Sequence, residues 1–493
     1  VSRAQPIAWS DPRLATAWLV LGAVTVAGVV TWPHTFINAD EYLYVGQARL
    51  LAGGSLHWHD GAALPGGLPD EPEGVRYPFG WPVLLVAMLW GGLRALYVVP
   101  FALHLLAGAS FARILARRGA APELAVLFLA HPVFWSFSRT LMSDAPSAAL
   151  LVIAIDHWEQ GGRARWVTGM ALGWSVFMRL GGLFSVAGFL LAVALEVLEP
   201  LRGAPSHERR SRAWLQTVRD QVPLASGLLV GAVCLATFNW LASGSPLRTG
   251  YTHVTEGTHF ATEGLGERVA LYLAGLLLIP PFSGALALAR PKRCDRWILG
   301  AIPVLLFFFA YSYHDRSARW YETLLGGQRL VLAAHVFAMV GTARVWGAIT
   351  FPGRRLLAVA VAVVFPAVHA VAIGHLVGRY RPTVDLIRAC APQSVAYNRA
   401  AARVALANDA ARYHILDESP IATSADVAVV ALASPTNQPL VRPPEYVLPE
   451  SLRARIDTCE RVGEFFVFDL RGVCPPDRPR VPCDPADFTP SGP

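Results

Sequence analysis

The chain has 493 residues, 54% of them apolar and 16% charged, with a net charge of +7 and a mean hydropathy of +0.41. An average soluble domain carries roughly 25% charge, so this chain cannot coat several water-soluble globules, and neither a disordered chain nor a coiled coil fits. Of its 42 basic residues, 41 are Arg and one is Lys292, a bias of the kind a GC-rich genome produces and no sign of a nucleic-acid partner.

A bilayer core takes about 20 mostly apolar residues per helix. On that measure the fold is an α-helical polytopic membrane protein with about 11 transmembrane helices. The expected spans are Leu14–Trp32, Leu96–Leu115, Leu124–Phe137, Ala145–Trp158, Trp166–Met178, Leu183–Leu198, Val222–Leu241, Val269–Ala289, Trp297–Tyr311, Leu330–Trp346 and Leu356–Leu376. Leu14–Trp32 is too long for a signal-peptide core and lacks a small-residue cleavage site, so it counts as a retained span. Trp81–Trp90 is about half a span and is expected to lie at the membrane surface. With it excluded, the clusters Arg113/Arg117/Arg118, Arg163/Arg165, Arg202/Arg209/Arg210/Arg212/Arg219, Arg290/Lys292/Arg293/Arg296 and Arg344/Arg354/Arg355 all fall on one side. The excess of Arg and Lys makes that side cytoplasmic.

The outer face then holds the first loop, 34–94, the turn Ser138–Asp144, the segments Ser243–Arg268 and Ser312–Arg329, and the tail Val377–Pro493. The organisation is a transmembrane domain over 1–376 and a small C-terminal α/β exoplasmic domain over 377–493. In that tail Ala400–Arg412 is expected as a helix, Val427–Leu432 and Glu464–Leu470 as strands, and Cys474–Pro493 as irregular chain. Cys390, Cys459, Cys474 and Cys483 all fall outside, where they can pair in three ways. No Asn-x-Ser/Thr sequon occurs, which favours a bacterial inner membrane as the location.

Acidic residues close to hydrocarbon are costly and tend to be functional. Asp40 and Glu41 follow the first span in Phe36-Ile-Asn-Ala-Asp-Glu-Tyr-Leu-Tyr44. Asp144 lies at the mouth between two spans in Met142-Ser-Asp-Ala-Pro146. The plain alternatives are solvated loop charges for the pair and a helix cap for Ser143 or Asp144. An amphipathic helix over Tyr42–Leu51 follows. Next comes a Gly-, Pro- and His-rich stretch, then Arg76-Tyr-Pro-Phe-Gly-Trp-Pro82 leading into the surface helix. Two interfacial helices beside a pocket suit an enzyme whose substrate is half lipid.

These residues resemble the GT-C superfamily of polyprenyl-phosphate-sugar-dependent glycosyltransferases, in the branch of protein O-mannosyltransferases and the lipid A aminoarabinose transferase. The likeness rests on Asp40-Glu41, Tyr44-Val-Gly-Gln-Ala-Arg49, the Arg76–Pro82 string and Ser143-Asp144-Ala-Pro146, in that order and on one face. It covers about Leu14–Glu199 and then fades to span count and to Gly326-Gly-Gln-Arg-Leu330 opening a late span. The resemblance implies an inverting transfer of a sugar from a polyprenyl phosphate to an acceptor hydroxyl on the outer face. Asp40 would be the general base, with Glu41 beside it. Arg76 and Arg179 would meet the donor phosphate, since guanidinium binds phosphate bidentately. Arg179 reads equally well as an interface residue that snorkels. Asp144 would orient the acceptor or hold Arg76 or Arg49, and Tyr77 and Arg49 would contact substrate.

The partners implied are the bilayer, the polyprenyl-phosphate sugar and a glycan, lipid or protein acceptor. No ligand set at metal spacing is evident: His57 and His59 are loop histidines, and His253, Glu256 and His259 are too sparse for a site. Whether a metal is required stays open. The rival reading is a transporter or lipid flippase. Those tend to carry internal repeats and charges deep in their spans. No repeat is visible here, and His104, Asp156, His335 and His369, the strong polar residues inside spans, do not cluster along the sequence.

Overall fold

The computed structural model describes residues 7–33, 36, 39–56, 77–202, 207–247, 260, 262–311, 320–348, 352–378, 380–397, 405, 412–415, 425–431, 450–462, 465–475 and 481–483. Helices dominate. In chain order they are α1 (Ala15–Val30), α2 (Ala39–Ala52), α3 (Gly80–Val86), α4 (Gly92–Leu96), α5 (Val98–Arg117), α6 (Val126–Leu129), α7 (Pro132–Ser138), α8 (Asp144–Gln160), α9 (Arg165–Met178), α10 (Gly182–Arg202), α11 (His207–Ser243), α12 (Leu265–Leu278), α13 (Ser283–Ala289), α14 (Ala301–Ala310), α15 (Trp320–Gln328), α16 (Leu332–Gly341), α17 (Ala343–Gly347), α18 (Arg354–Gly378) and α19 (Arg381–Cys390).

Four stretches among the described residues are long and apolar enough to cross a membrane: Pro12–Val30, Val98–Arg117, Gln221–Ser243 and Arg354–Val371. The segment expected as one span over Val269–Ala289 is instead two helices, α12 and α13, bent by 82°. Pro280 and Pro281 fall in the break, where a helix loses both a donor and the room to continue. Leu124–Phe137 is likewise divided: α6 stops at Leu129, and α7 starts at Pro132 with His131 as its cap. In the Trp81–Trp90 run the α-helical part, α3, has seven residues. It spans about 10 Å, against a hydrocarbon core of about 30 Å.

Packing follows small residues. α9 carries Gly169 and Gly173, and α11 carries Gly227 and Gly231. A Cβ at any of the four would collide with the backbone of the facing helix. Glycines four apart let two membrane helices approach backbone to backbone.

One end of the bundle is locked by charge. Arg113 and Arg117 at the end of α5 pair with Asp156 of α8; for Arg117 the distance is 2.6 Å. Arg118 pairs with Glu159 and lies 3.3 Å from Asp295 in the loop before α14. Arg354 reaches Glu123 at 3.1 Å. Asp156 and both partner arginines are buried, and buried charges persist only when paired. The network ties the ends of α5 and α8 to the loop before α14, and the separate Arg354–Glu123 pair ties the start of α18 to the segment before α6, all in segments expected on the cytoplasmic side.

The tail forms a five-stranded sheet of β1 (Ser394–Tyr397), β2 (Arg412–Ile415), β3 (Val427–Ala431), β4 (Cys459–Val462) and β5 (Phe465–Asp469), in the order β2-β1-β3-β5-β4. β1 is parallel to β2 and β3, and β5 is antiparallel to β3 and β4. β3 and β5 match the two expected strands. Of the helix expected over Ala400–Arg412, Ala405 is helical, Arg412 opens β2, and the rest lies outside the described residues.

Every residue of β3 and β5 is buried, as happens when both faces of a strand are covered. Alternation sorts them. Ala428, Val430, Phe466 and Phe468 enter a small core of their own. Val427, Val429, Phe465 and Val467 join a core shared with Leu43, Tyr44 and Val45 of α2, Trp81 and Leu85 of α3, and Val384 and Ile387 of α19. The sheet thus shares an apolar core with the first-loop helices. Two disulfides close the tail, Cys390–Cys474 and Cys459–Cys483, which selects one of the three pairings open from sequence.

Candidate functional site

The end of the bundle opposite the arginine network carries the second group of charges. Twelve residues of α8 separate Asp144 from Asp156, about 18 Å along the axis. Ser143 occupies the cap position of α8 but makes no side-chain capping bond. Its hydroxyl lies 2.8 Å from Tyr44 Oη instead. The Asp144 carboxylate turns to Arg179, whose Nη1 pairs with Oδ1. Arg179 is the residue on which α9 ends, with extended backbone, so its side chain is presented at the mouth of the α8–α9 hairpin. Asp144 is 1% exposed at its side chain, and its Oδ2 has no hydrogen-bond partner among the described residues. The carboxylate is thus paired with Arg179; Arg76, one of the two arginines expected to meet it, lies outside the described residues.

Asp40 stands in the first turn of α2 and is partly exposed. Arg329 Nη1 approaches its Oδ2 to 3.6 Å, and the arginine is 6% exposed. Arg329 sits in the turn between α15 and α16. With Asp144 and Arg179 it lines a cleft whose wall includes Ser147, Ser185 and Phe308. One carboxylate and two guanidiniums, brought from α8, the end of α9 and the α15–α16 turn, thus line one cleft, and Arg329 links it to Asp40 of α2. Sequence reading assigned Arg329 no role, although it lies in the Gly326–Leu330 string. The available signal was a charge at the edge of an apolar run.

The other expected residues fall around this group. Glu41 is fully buried; its Oε2 accepts the Leu141 N–H at 2.9 Å and the Tyr97 hydroxyl at 3.4 Å. Tyr77 is buried and stacked on Tyr44 with centroids 4.5 Å apart, and its carbonyl accepts the Gln47 amide at 3.0 Å. Trp81 donates its indole N–H to Leu141 O at 2.6 Å. Glu41, Tyr44 and Trp81 thus bind the first-loop helices to the 138–144 turn. Arg49 is nine residues from Asp40, about 13 Å along α2 and half a turn round, so the structure does not bring these two together. Arg76, His57, His59, His253, Glu256 and His259 lie outside the described residues. No group of three or more His, Cys, Asp or Glu able to hold a metal occurs among the described residues.

No protein-family model and no curated protein matches the chain. Two solved structures do. ArnT from Cupriavidus metallidurans in the apo state aligns with a TM-score of 0.54, and the same protein bound to undecaprenyl phosphate with 0.50. Each is 14% identical and covers 94% of this chain and 100% of the other. The chain shares the fold of that protein over most of its length. At that identity the likeness is one of fold, and it extends over the C-terminal half, where sequence motifs had faded.

Proposed function

We propose that this protein is an integral-membrane glycosyltransferase that moves a sugar from a polyprenyl phosphate to an acceptor hydroxyl at the outer face of a bacterial inner membrane. The observation that carries the reading is the meeting of Asp144, Arg179 and Arg329 at one cleft, with Asp40 3.6 Å from Arg329. It is supported by a fold shared with ArnT, one of whose structures holds undecaprenyl phosphate.

In this reading Asp40 takes the proton of the acceptor hydroxyl as that oxygen attacks the anomeric carbon. The bond from that carbon to the phosphate oxygen breaks, and the lipid phosphate leaves with the bonding pair. The base accounts for the proton, and the arginines for the growing charge on phosphate. Arg329 and Arg179 are the guanidiniums present at the cleft, with Arg76 a third on sequence grounds. Asp144 holds Arg179 and leaves Oδ2 free to accept a hydrogen bond from the acceptor. Glu41, as a buried acceptor for a backbone N–H and a phenol, positions α2; it is not the base. Attack with inversion follows from family likeness. The sheet shares a core with the first-loop helices, which supports a tail on the same face as Asp40.

Transfer from a radiolabelled polyprenyl-phosphate sugar in proteoliposomes tests this. A new glycosidic bond to added acceptor is expected. Label that crosses the bilayer with its sugar still on the carrier would instead support a flippase.

A further inference from the structure

Three buried polar residues, His131 and the sequence-distant His335 and Gln328, form one hydrogen-bonded chain. Val133 N–H donates to His131 Nδ1 at 3.2 Å. A backbone amide can only donate, so Nδ1 carries no hydrogen and the neutral ring holds its proton on Nε2. That N–H meets His335 Nδ1 at 3.2 Å, which must therefore accept. His335 Nε2–H then donates to Gln328 Oε1 at 2.9 Å. Gln328 in turn donates its Nε2–H to Leu271 O at 2.8 Å. One amide thus fixes both tautomers and the orientation of the glutamine. His131, His335 and Gln328 are all buried. α12 makes room for the last of them: a Cβ at Gly275 would collide with the Gln328 amide.

The two ends of the central bond flank Arg329. Gln328 is the last residue of α15, and His335 lies one turn into α16. Between them the chain turns through residues 329–331, closed by hydrogen bonds from Arg329, Leu330 and Val331 N–H to the carbonyls three residues earlier, each 3.2 Å. The Gln328–His335 bond therefore bridges the turn that carries Arg329. Leu271 O on one side and His131 on the other tie that bridge to α12 and to the α6–α7 break. A site of this kind works only if the groups behind it hold its rotamers, and a fully satisfied buried polar network is a rigid support.

We propose that Gln328 and His335 are positioning residues for Arg329: with His131 fixing the tautomer of His335, they hold the guanidinium at Asp40 and the cleft. The proposal rests on the reading of Arg329 as a lipid-phosphate ligand.

The test uses the full-length purified protein and undecaprenyl phosphate as probe. Gln328→Met removes the bridge with little change in volume. His335→Asn keeps an acceptor for His131 but loses the donor to Gln328, whereas His335→Gln keeps a donor. Gln328→Met and His335→Asn should each weaken binding by about threefold to tenfold, the equivalent of one hydrogen bond. His335→Gln should recover most of that loss, and Gln328→Met should add nothing to Arg329→Ala. Wild-type affinity in Gln328→Met and His335→Asn overturns the proposal, as does an undiminished effect of Gln328→Met in the Arg329→Ala background. If the unmodified protein binds no lipid phosphate, the functional reading has failed, and hydrogen exchange of the 329–331 amides decides the bracing by itself. Faster exchange in Gln328→Met supports it; unchanged exchange overturns it.

Discussion

Arg329 Nη1 stands 3.6 Å from Asp40 Oδ2, which joins the first turn of α2 to the turn before α16 across more than half the chain. An exposed pair at this distance would be worth about 0–1 kcal/mol, but Arg329 is 6% exposed and is held from behind. The arginine is thus placed where an incoming phosphate can compete for it. Arg329→Ala should weaken binding of a polyprenyl phosphate and slow transfer together. Arg329→Lys should fall between, since it keeps the charge and loses the bidentate fork. Donor affinity and turnover for both variants check this, and wild-type values for Arg329→Ala would remove the residue from the site.

Asp40 and Glu41 are neighbours with different surroundings, and the two substitutions should separate cleanly. Asp40 is partly exposed beside Arg329, so Asp40→Asn should cost about 10²–10⁴-fold in turnover, the usual worth of a positioned base, with thermal stability near that of the parent. Glu41 is buried under Leu141 N–H and Tyr97 Oη. Glu41→Gln weakens a charge-assisted acceptor there, which should lower stability by about 1–3 kcal/mol. Paired melting and activity measurements decide. A stable but inactive Glu41→Gln protein would mean that the base has been assigned to the wrong carboxylate.

The Asp144–Arg179 pair makes a different demand. Asp144 is buried and Arg179 19% exposed, so removing one member costs at most the roughly 3–5 kcal/mol of a fully buried ion pair, whereas replacing both with apolar side chains of similar volume is often close to neutral. Asp144→Leu alone should therefore destabilise the protein more than Asp144→Leu/Arg179→Met, while both abolish transfer. If the double variant melts no higher than the single one, the pair is not an isolated unit. If it transfers sugar, neither residue belongs to the site.

The parts legible in the sequence were those with a local cost attached. Asp40, Asp144 and Arg179 stand beside hydrocarbon, where charge is expensive, and β3 and β5 are apolar runs bounded by polar chain. Arg329 has the same local cost as Arg179, but a lone arginine at the edge of a span also reads as snorkelling, and its partner Asp40 is far off in sequence. His131 and His335 were invisible as a pair for the same reason. β1, β2 and β4 have four residues each, too few for alternation to rise above background. At Pro132 and at Pro280-Pro281 the helix-breaking signal was present. The length of the surrounding apolar runs outweighed it, because hydropathy averages over a window that a single break does not empty.

The tail's two disulfides should differ in weight. Cys390–Cys474 closes 84 residues and Cys459–Cys483 closes 24. In the chain-entropy account a cross-link stabilises by restricting the unfolded chain, by about 4.6 kcal/mol for the longer loop and about 3.5 for the shorter. Position adds to the difference. Cys390 ends α19, and it lies with Cys474 in the core that the sheet shares with α2 and α3, whereas Cys459 belongs to the smaller core. Loss of the longer cross-link should therefore loosen the sheet and also the seat of α2, on which the placement of Asp40 depends. Cys390→Ser/Cys474→Ser should speed hydrogen exchange in both 394–397 and 43–48. Cys459→Ser/Cys483→Ser should affect 459–469 and leave 43–48 as in the parent. Exchange at 43–48 that is untouched by the first variant would show that the sheet and the first-loop helices, though they share a core, open independently.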